Sequence, residues 1–279
     1  MANTLVQDLI EAGIHFGQRS SGWNPKMAPY IYGKRNGIHI IDIKETVKGL
    51  LLAKKFIAKT VAEGKDVCFV GTKRQAKSVL ETRVPDVKMH YVAERWLGGT
   101  LTNFRTIRLR LKRLDELDTI AANDNFASYS KKMESMLKRE QKKISRNLSG
   151  IRNMDKLPGV MVVIDVKSET TALREARKLG IPTIALIDTD GDPEMVDIAI
   201  PGNDDSMRSI DVVLRELCLA CAEGRQTRET NLATAGKSES KPAGDGGMAG
   251  DAPSGDKPRR RSSRASFRAD EAAASPANG

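Results

Sequence analysis

Residues 160–187 read VMVVIDVKSETTALREARKLGIPTIALI. The opening VMVVI is a continuous, largely β-branched run of the kind that fills a parallel strand covered on both faces. From Ser168 to Leu179 the apolar residues recur at helical spacing, Gly180 supplies a helix stop, and Pro182 bars continuation. Thr183 to Ile187 is a second apolar run. Strand, helix and strand in this order predict an α/β chain with an open, mostly parallel sheet and helices on both faces.

The same alternation extends in both directions. Downstream, Ile198-Ala199-Ile200 is a shorter strand, and Met207, Ile210, Val213, Leu214, Leu217 and Cys221 form the stripe of a last helix. Upstream, Val67-Cys68-Phe69-Val70 reads as a buried strand that ends at Gly71-Thr72, before a helical stretch around Ala76, Val79 and Leu80 bounded by Pro85. Met89 to Val92 is a weak strand. Ile38 to Ile41 is a further apolar run, and the residues after it, with Val47, Leu50, Leu51, Ile57 and Val61, repeat at threes and fours, so this pair extends the pattern toward the N-terminus.

Two regions break the alternation. Phe104, Ile107, Leu111, Leu114 and Leu117 form one helical stripe, and Phe126, Tyr129, Met133, Met136, Leu137, Ile144, Leu148 and Ile151 form another beyond Asn123-Asp124-Asn125. They predict an inserted antiparallel α-helical coiled-coil hairpin, basic on its exposed positions and poorly covered by its own domain. In residues 231–279, Ala, Gly, Ser and Pro supply 29 of 49 positions, too little large apolar surface to offset ordering entropy, so a disordered C-terminal tail is expected. The predicted organisation is a discontinuous sheet domain over 1–103 and 157–225, a hairpin over 104–156 and a tail over 226–279.

Composition narrows the function. The 279 residues carry 46 Lys+Arg against 36 Asp+Glu, a net charge of +10. By segment the charge is +6 over 1–94, +8 over 95–156, −7 over 157–224 and +3 over 225–279. A basic half followed by an acidic one predicts a face held against nucleic acid, with the acidic remainder turned to solvent or a protein neighbour. No apolar run approaches the ~18 residues of a membrane span, no export signal opens the chain, and three cysteines are too few for a disulfide framework, so a cytosolic protein is expected.

Enzyme chemistry is thinly supported. No Gly-x-x-x-x-Gly-Lys occurs, and the nearest approach to a dinucleotide-binding string, Gly244 to Ala249, follows no strand. Asp188-Thr189-Asp190-Gly191-Asp192 resembles the nucleophile loop of haloacid-dehalogenase-type phosphatases, with Asp192 in place of the motif threonine. A phosphatase or nucleotide-binding enzyme using Asp188 and Asp190 is therefore the alternative function. His15, His39 and His90 are scattered, and Cys218 with Cys221 lies within a helix stripe, which favours core packing over zinc or redox use. A Mg²⁺ or Zn²⁺ site from His15, Asp188, Asp204 and Asp205 would require the fold to bring them together. No cofactor and no small-molecule substrate is expected.

What remains suits RNA. His15-Phe16-Gly17-Gln18-Arg19, Trp23-Asn24-Pro25-Lys26 and Lys34-Arg35-Asn36 combine cations, amides and aromatic faces in an irregular N-terminal stretch, and Arg95 to Asn103 does so at the foot of the hairpin. Gly71-Thr72-Lys73-Arg74, at a strand-to-helix turn, can hold a phosphate.

Four strings, HFGQRSSGWNPKMAPYIYGKRNGIHIIDI (His15 to Ile43), FVGTKRQA (Phe69 to Ala76), RWLGGTLTNF (Arg95 to Phe104) and GIPTIALIDTDGDPEMVDIAIPGNDDS (Gly180 to Ser206), resemble the bacterial family of small-subunit ribosomal protein two. The resemblance spans roughly residues 3–225 and offers no counterpart to the tail after Thr227. It implies a non-enzymatic, flavodoxin-like α/β protein with an inserted helical hairpin, binding small-subunit ribosomal RNA in the cytoplasm, on the solvent side of the subunit near the messenger exit. It further implies docking of small-subunit ribosomal protein one and contact with other subunit proteins. Gln18 stands where many relatives have a second histidine, which weakens a metal reading near His15. On this basis Arg19, Lys26, Lys34, Arg35, Lys73, Arg74, Arg95, Arg105, Arg108, Arg110, Lys112 and Arg113 are the expected phosphate contacts, and Trp23, Trp96 and Asn103 the expected stacking or positioning groups.

Overall fold

Every residue of VMVVI and of TIALI is buried, as two-sided coverage requires. The computed structural model describes residues 2–122 and 130–238. Its helices and strands run α1 (Ala2–Glu11), β1 (Phe16–Arg19), β2 (Ile31–Arg35), β3 (Ile38–Ile41), α2 (Ile43–Ala62), β4 (Val67–Val70), α3 (Arg74–Asp86) and β5 (His90–Val92). Then follow α4 (Phe104–Ala122), α5 (Lys131–Leu148), β6 (Val160–Ile164), α6 (Thr170–Leu179), β7 (Thr183–Ile187), β8 (Ile198–Pro201) and α7 (Met207–Ser238). Strands β4 to β8 form one parallel sheet in the order β5-β4-β6-β7-β8. Counted from β4 this is 2-1-3-4-5, the flavodoxin order, in which the chain reverses its direction of growth between β4 and β6.

Side-chain alternation assigns the two cores. Phe69, Val162, Ile164, Ile184 and Leu186 point to one face, where Leu50 and Ile57 of α2, Leu80 of α3 and Leu214 and Leu217 of α7 meet them. Cys68, Val70, Met161, Val163, Ala185 and Ile187 point to the other, against Ala172, Leu173 and Ala176 of α6. Each such aliphatic side chain contributes about 1.5–3 kcal/mol of transfer free energy. Cys218 and Cys221 lie in the first core as free thiols, so the packing role expected of them holds.

Four features differ from the expectations. First, Ile38–Ile41 does not join the parallel sheet. It is the central strand of a separate antiparallel sheet, β1-β3-β2, so the N-terminal stretch is ordered structure rather than irregular loop. The cause is Asn36-Gly37, with φ of 52° and 78°, which closes β2 onto β3 as a two-residue hairpin turn. Second, α1 precedes this sheet and is tied to α7, where Arg215 meets Asp8 at 2.7 Å and the Ser209 hydroxyl donates to the Ala12 carbonyl at 2.9 Å.

Third, α7 continues to Ser238, so the boundary expected at 226 falls inside a helix. Residues 225–238 mix helix formers such as Arg, Gln, Glu, Leu and Ala with weaker Thr, Asn, Gly and Ser, and with no proline before 242 nothing stops an already nucleated helix from extending. The remainder of the expected tail lies outside the described residues.

Fourth, α4 and α5 pack against each other and their foot is built into the sheet domain. Ile107, Leu111, Leu114, Leu117, Leu137, Ile144 and Leu148 share one continuous core with Ile151, Met154, Val70, Met161 and Val163. The helical pair is therefore better covered at its foot than an isolated arm would be. Phe126 and Tyr129, expected in its second stripe, fall in residues 123–129, outside the described residues. No described helix is long and apolar enough to cross a membrane.

Candidate nucleic-acid interface

The C-terminal ends of β4, β6 and β7 open onto the crevice where open α/β sheets place ligands. Here the crevice is filled by the protein's own groups. Lys73, just beyond β4, puts its ammonium 2.7 Å from Asp204, 2.9 Å from Asp205 and 3.1 Å from Asp165. Gln18 of β1 reaches in from the other sheet, its amide nitrogen 2.6 Å from Asp205 and 3.3 Å from Asp188, while its backbone N–H donates to the Thr189 hydroxyl at 2.9 Å. Gly17 makes this approach possible, because a Cβ there would lie 2.6 Å from the Thr189 methyl group.

The fold thus unites three of the four expected cation ligands. Asp188, Asp204 and Asp205 present carboxylate oxygens within 4.8 Å of one another. His15 does not join them: its Nδ1 is buried without a hydrogen-bond partner among the described residues, and its ring packs on Phe16 at 4.1 Å. An all-oxygen set lacks the nitrogen and sulfur donors that zinc sites favour, and Lys73 supplies a positive charge to two of its three members. One lysine does not balance the cluster. Burial, with Asp165 and Asp188 nearby, pushes the Asp204 carboxyl up to about 7 despite the lysine, and burial pushes Asp188 up to about 6. The exposed Asp205, hydrogen-bonded to Lys73, is held below the usual carboxylate range.

A second buried carboxylate organises the Arg95–Asn103 loop. Glu175 of α6 accepts from the Trp96 indole N–H at 3.1 Å and the Gly99 N–H at 2.8 Å with one oxygen. Its other oxygen accepts from the N–H groups of Leu101 and Thr102 and from the Thr102 hydroxyl, at 3.0–3.1 Å. Burial opposes ionisation, but these five donors outweigh it and hold the Glu175 carboxyl below its ordinary range. The loop is fixed where it enters α4, and Trp96, only 8% exposed, is committed to the core rather than to stacking.

The expected phosphate contacts divide into two groups. Lys26 pairs with Asp192 at 3.0 Å and with Glu194, Arg108 with Asp155 at 2.6 Å, and Arg113 with Glu116 at 3.0 Å; with Lys73, these four are matched internally. Arg19, Lys34, Arg35, Arg74, Arg95, Arg105, Arg110 and Lys112 are exposed and make no ion pair among the described residues. Trp23 is half-buried, its ring 5.0 Å from that of His39, and Asn103 accepts a hydrogen bond from the Thr106 hydroxyl at 2.8 Å in the first turn of α4.

Sequence reasoning passed over Tyr32, which is 80% exposed and shares a face of β2 with Lys34. Alternation along β2 would have identified it once the Asn36-Gly37 turn was recognised. It also passed over Arg139, Lys142 and Lys143 on α5, exposed and likewise without an ion pair among the described residues.

Comparison with known proteins bears on what these surfaces serve. Residues 9–224 match the model of the family described as Ribosomal protein S2. This chain belongs to the ribosomal protein S2 family. Three relatives carry the name small ribosomal subunit protein uS2. That of Rhodopirellula baltica is 55% identical over 233 residues, 84% of this chain and 90% of its own length. That of Syntrophobacter fumaroxidans is 45% identical over 229 residues, 82% of this chain and 84% of its own. That of Acidothermus cellulolyticus is 43% identical over 272 residues, 97% of this chain and 99% of its own, so one relative does extend into the tail.

The family is one of structural proteins rather than enzymes, which settles against the phosphatase alternative. The geometry gives the reason. Asp188 is 2% exposed beneath Gln18 and Thr189, whereas Asp190 turns away to Lys167 at 3.1 Å, so the two carboxylates do not converge on a substrate position.

Proposed function

We propose that this chain is a structural constituent of the small ribosomal subunit in the cytoplasm, and that it binds small-subunit ribosomal RNA through two surfaces. One is the β1-β3-β2 sheet, with Arg19, Lys34 and Arg35 about Tyr32. The other is the foot of the α4–α5 pair, an antiparallel coiled-coil arm, with Arg95, Arg105, Arg110 and Lys112. The observation that carries this reading is the unmatched charge itself: these cations are exposed without carboxylate partners among the described residues, while Lys26, Lys73, Arg108 and Arg113 are not. Unmatched cations beside an exposed aromatic ring suit phosphates and an unpaired base.

Docking of small-subunit ribosomal protein one and contact with other subunit proteins would use the acidic C-terminal half, which the RNA surfaces leave free. Sedimentation tests the whole reading. Full-length protein should co-migrate with the small subunit and be released as salt rises, because each phosphate contact adds about −0.9 for duplex, or −0.7 for single strands, to the slope of log K against log salt. Binding to small-subunit RNA that is indifferent to salt would overturn it.

A further inference from the structure

A groove of about 510 Å³ runs between α4 and α5 at their foot. Leu97, Ile107, Ile144 and Leu148 make it apolar, and the exposed Arg110, Arg139 and Lys143 also line it. It shares Arg139, Lys143 and Asn147 with an adjoining groove of about 580 Å³ that Arg95 and Lys142 also line. The acidic residues along both are already occupied. Glu94 is bound by Lys77 and by Arg146 at 2.8 Å, the Arg146 hydrogen bond foremost in holding its carboxyl down to about 2, and Glu140 lies 3.7 Å from Arg113. Arg95, Arg110, Arg139, Lys142 and Lys143 keep their charge free among the described residues.

Where the two grooves meet, the half-buried Asn147 has a side-chain amide with no hydrogen-bond partner among the described residues. An apolar slot, a free amide and a track of unmatched cations are three different demands, and one ligand meets them all. We infer that this groove takes a single unpaired nucleotide of the bound RNA. Its base enters the apolar slot and meets Asn147 with its polar edge, and the flanking phosphates lie along Arg95, Lys142 and Lys143. A protein side chain would satisfy the slot but not the cations, and a continuous duplex would satisfy the cations but leave the slot empty.

The inference rests on the RNA-binding reading above, and the test separates the two. A Cβ at Gly98, which lines the slot, would meet nothing within 4 Å, so Gly98→Phe plugs the groove without a clash at its root and without changing charge. Binding of the full chain to small-subunit ribosomal RNA is measured across a salt series, with chemical probing of unpaired nucleotides and thermal unfolding as a fold control. Gly98→Phe is expected to weaken binding about tenfold, to leave the salt slope unchanged, and to expose one nucleotide that the unaltered protein protects. Asn147→Ala should expose the same nucleotide with a smaller loss, and Lys142→Ala with Lys143→Ala should lower the slope by about one to two.

Unchanged affinity and footprint in both Gly98→Phe and Asn147→Ala would overturn the slot while leaving RNA binding intact, provided Arg35→Ala still weakens it. Intact RNA binding with loss of a neighbouring protein from assembled subunits would also overturn the slot, assigning it to a protein side chain. Absence of salt-dependent RNA binding by the unaltered chain would instead defeat the underlying reading.

Discussion

Lys73 and Lys143 are both lysines of the basic N-terminal half, and the fold gives them opposite tasks. Lys73 lies within 3.1 Å of three carboxylates in the crevice of the parallel sheet, while Lys143 stands exposed on α5 with no ion pair among the described residues. The crevice, where an α/β enzyme would hold its ligand, is sealed; the α4–α5 foot and the small antiparallel sheet are open. Other acidic residues of the C-terminal half pair with cations of the basic half as well. Lys54 meets Glu216, Arg83 meets Asp211, and Lys26 meets Asp192, so the sign asymmetry along the chain is partly cancelled when the chain folds. Only the unmatched residue of that charge is available to a polyanion.

The largest test of this contrast is to remove the open region outright. Because Leu148 and Ile151 share a core with Val70, Met161 and Val163, deletion of residues 104–151 should leave the sheet domain unable to fold cooperatively in urea. Removal of residues 119–134 alone, which takes the end of α4 and the start of α5, should retain a cooperative transition. A fully stable 104–151 deletion would show that the second core is closed by the sheet and α6 alone.

Next in size is Glu175→Ala, expected to cost about 3–5 kcal/mol in urea unfolding, since it strands donors that now share one buried carboxylate. Glu175→Gln should recover part of that loss. Because folding depresses this carboxyl, its contribution is present above the unfolded carboxylate pKa of about 4.3 and fades as pH falls through the lower folded value.

The crevice should show the opposite pH dependence. Asp188 and Asp204 are raised on folding, so what they contribute is complete below about pH 3.9 and is lost as pH climbs through about 6 and about 7. Lys73→Met removes the cation that moderates this loss. It should destabilise the protein by about 2–4 kcal/mol at pH 8 and by clearly less at pH 5, compared by urea unfolding at both. Equal losses at the two pH values would mean that Lys73 acts through packing alone.

How far these regions were legible in the sequence follows from what each depends on. Strands β4, β6 and β7 are continuous apolar runs, and the helix stripes around them repeat at three and four, so the doubly covered sheet could be read directly. The strand at Ile38–Ile41 has the same apolar character, and only the Asn36-Gly37 turn places it in a different sheet. Fates of individual charges were not legible: Lys73 and Arg74 are neighbours, yet one is matched and the other exposed without an ion pair among the described residues. Glu175 gave no sign of its role, because its five donors come from a loop more than 70 residues earlier, met only through tertiary packing.

Smaller effects sharpen the contrast within aromatic residues. Tyr32→Ala should weaken RNA binding by about 1–2 kcal/mol with no change in thermal stability, as expected for loss of an exposed stacking ring. Trp96→Phe should do the reverse, lowering stability through the lost Glu175 hydrogen bond and leaving RNA affinity of the folded fraction unchanged.

The finest comparison is between two exposed cations, Arg35 and Lys26. Each lies in a string expected to touch RNA, and each substitution to alanine removes one positive charge. Arg35 has no ion pair among the described residues, whereas Lys26 is held by Asp192 and Glu194. A cation that replaces a counterion on a phosphate contributes about one unit to the salt slope, and one already neutralised by carboxylates contributes nothing unless those pairs break. Arg35→Ala should therefore lower the slope by about one, and Lys26→Ala should leave it unchanged. Equal changes would mean that net charge governs binding. Unequal ones would mean that the pairing of each residue decides which part of the basic half is free to meet RNA.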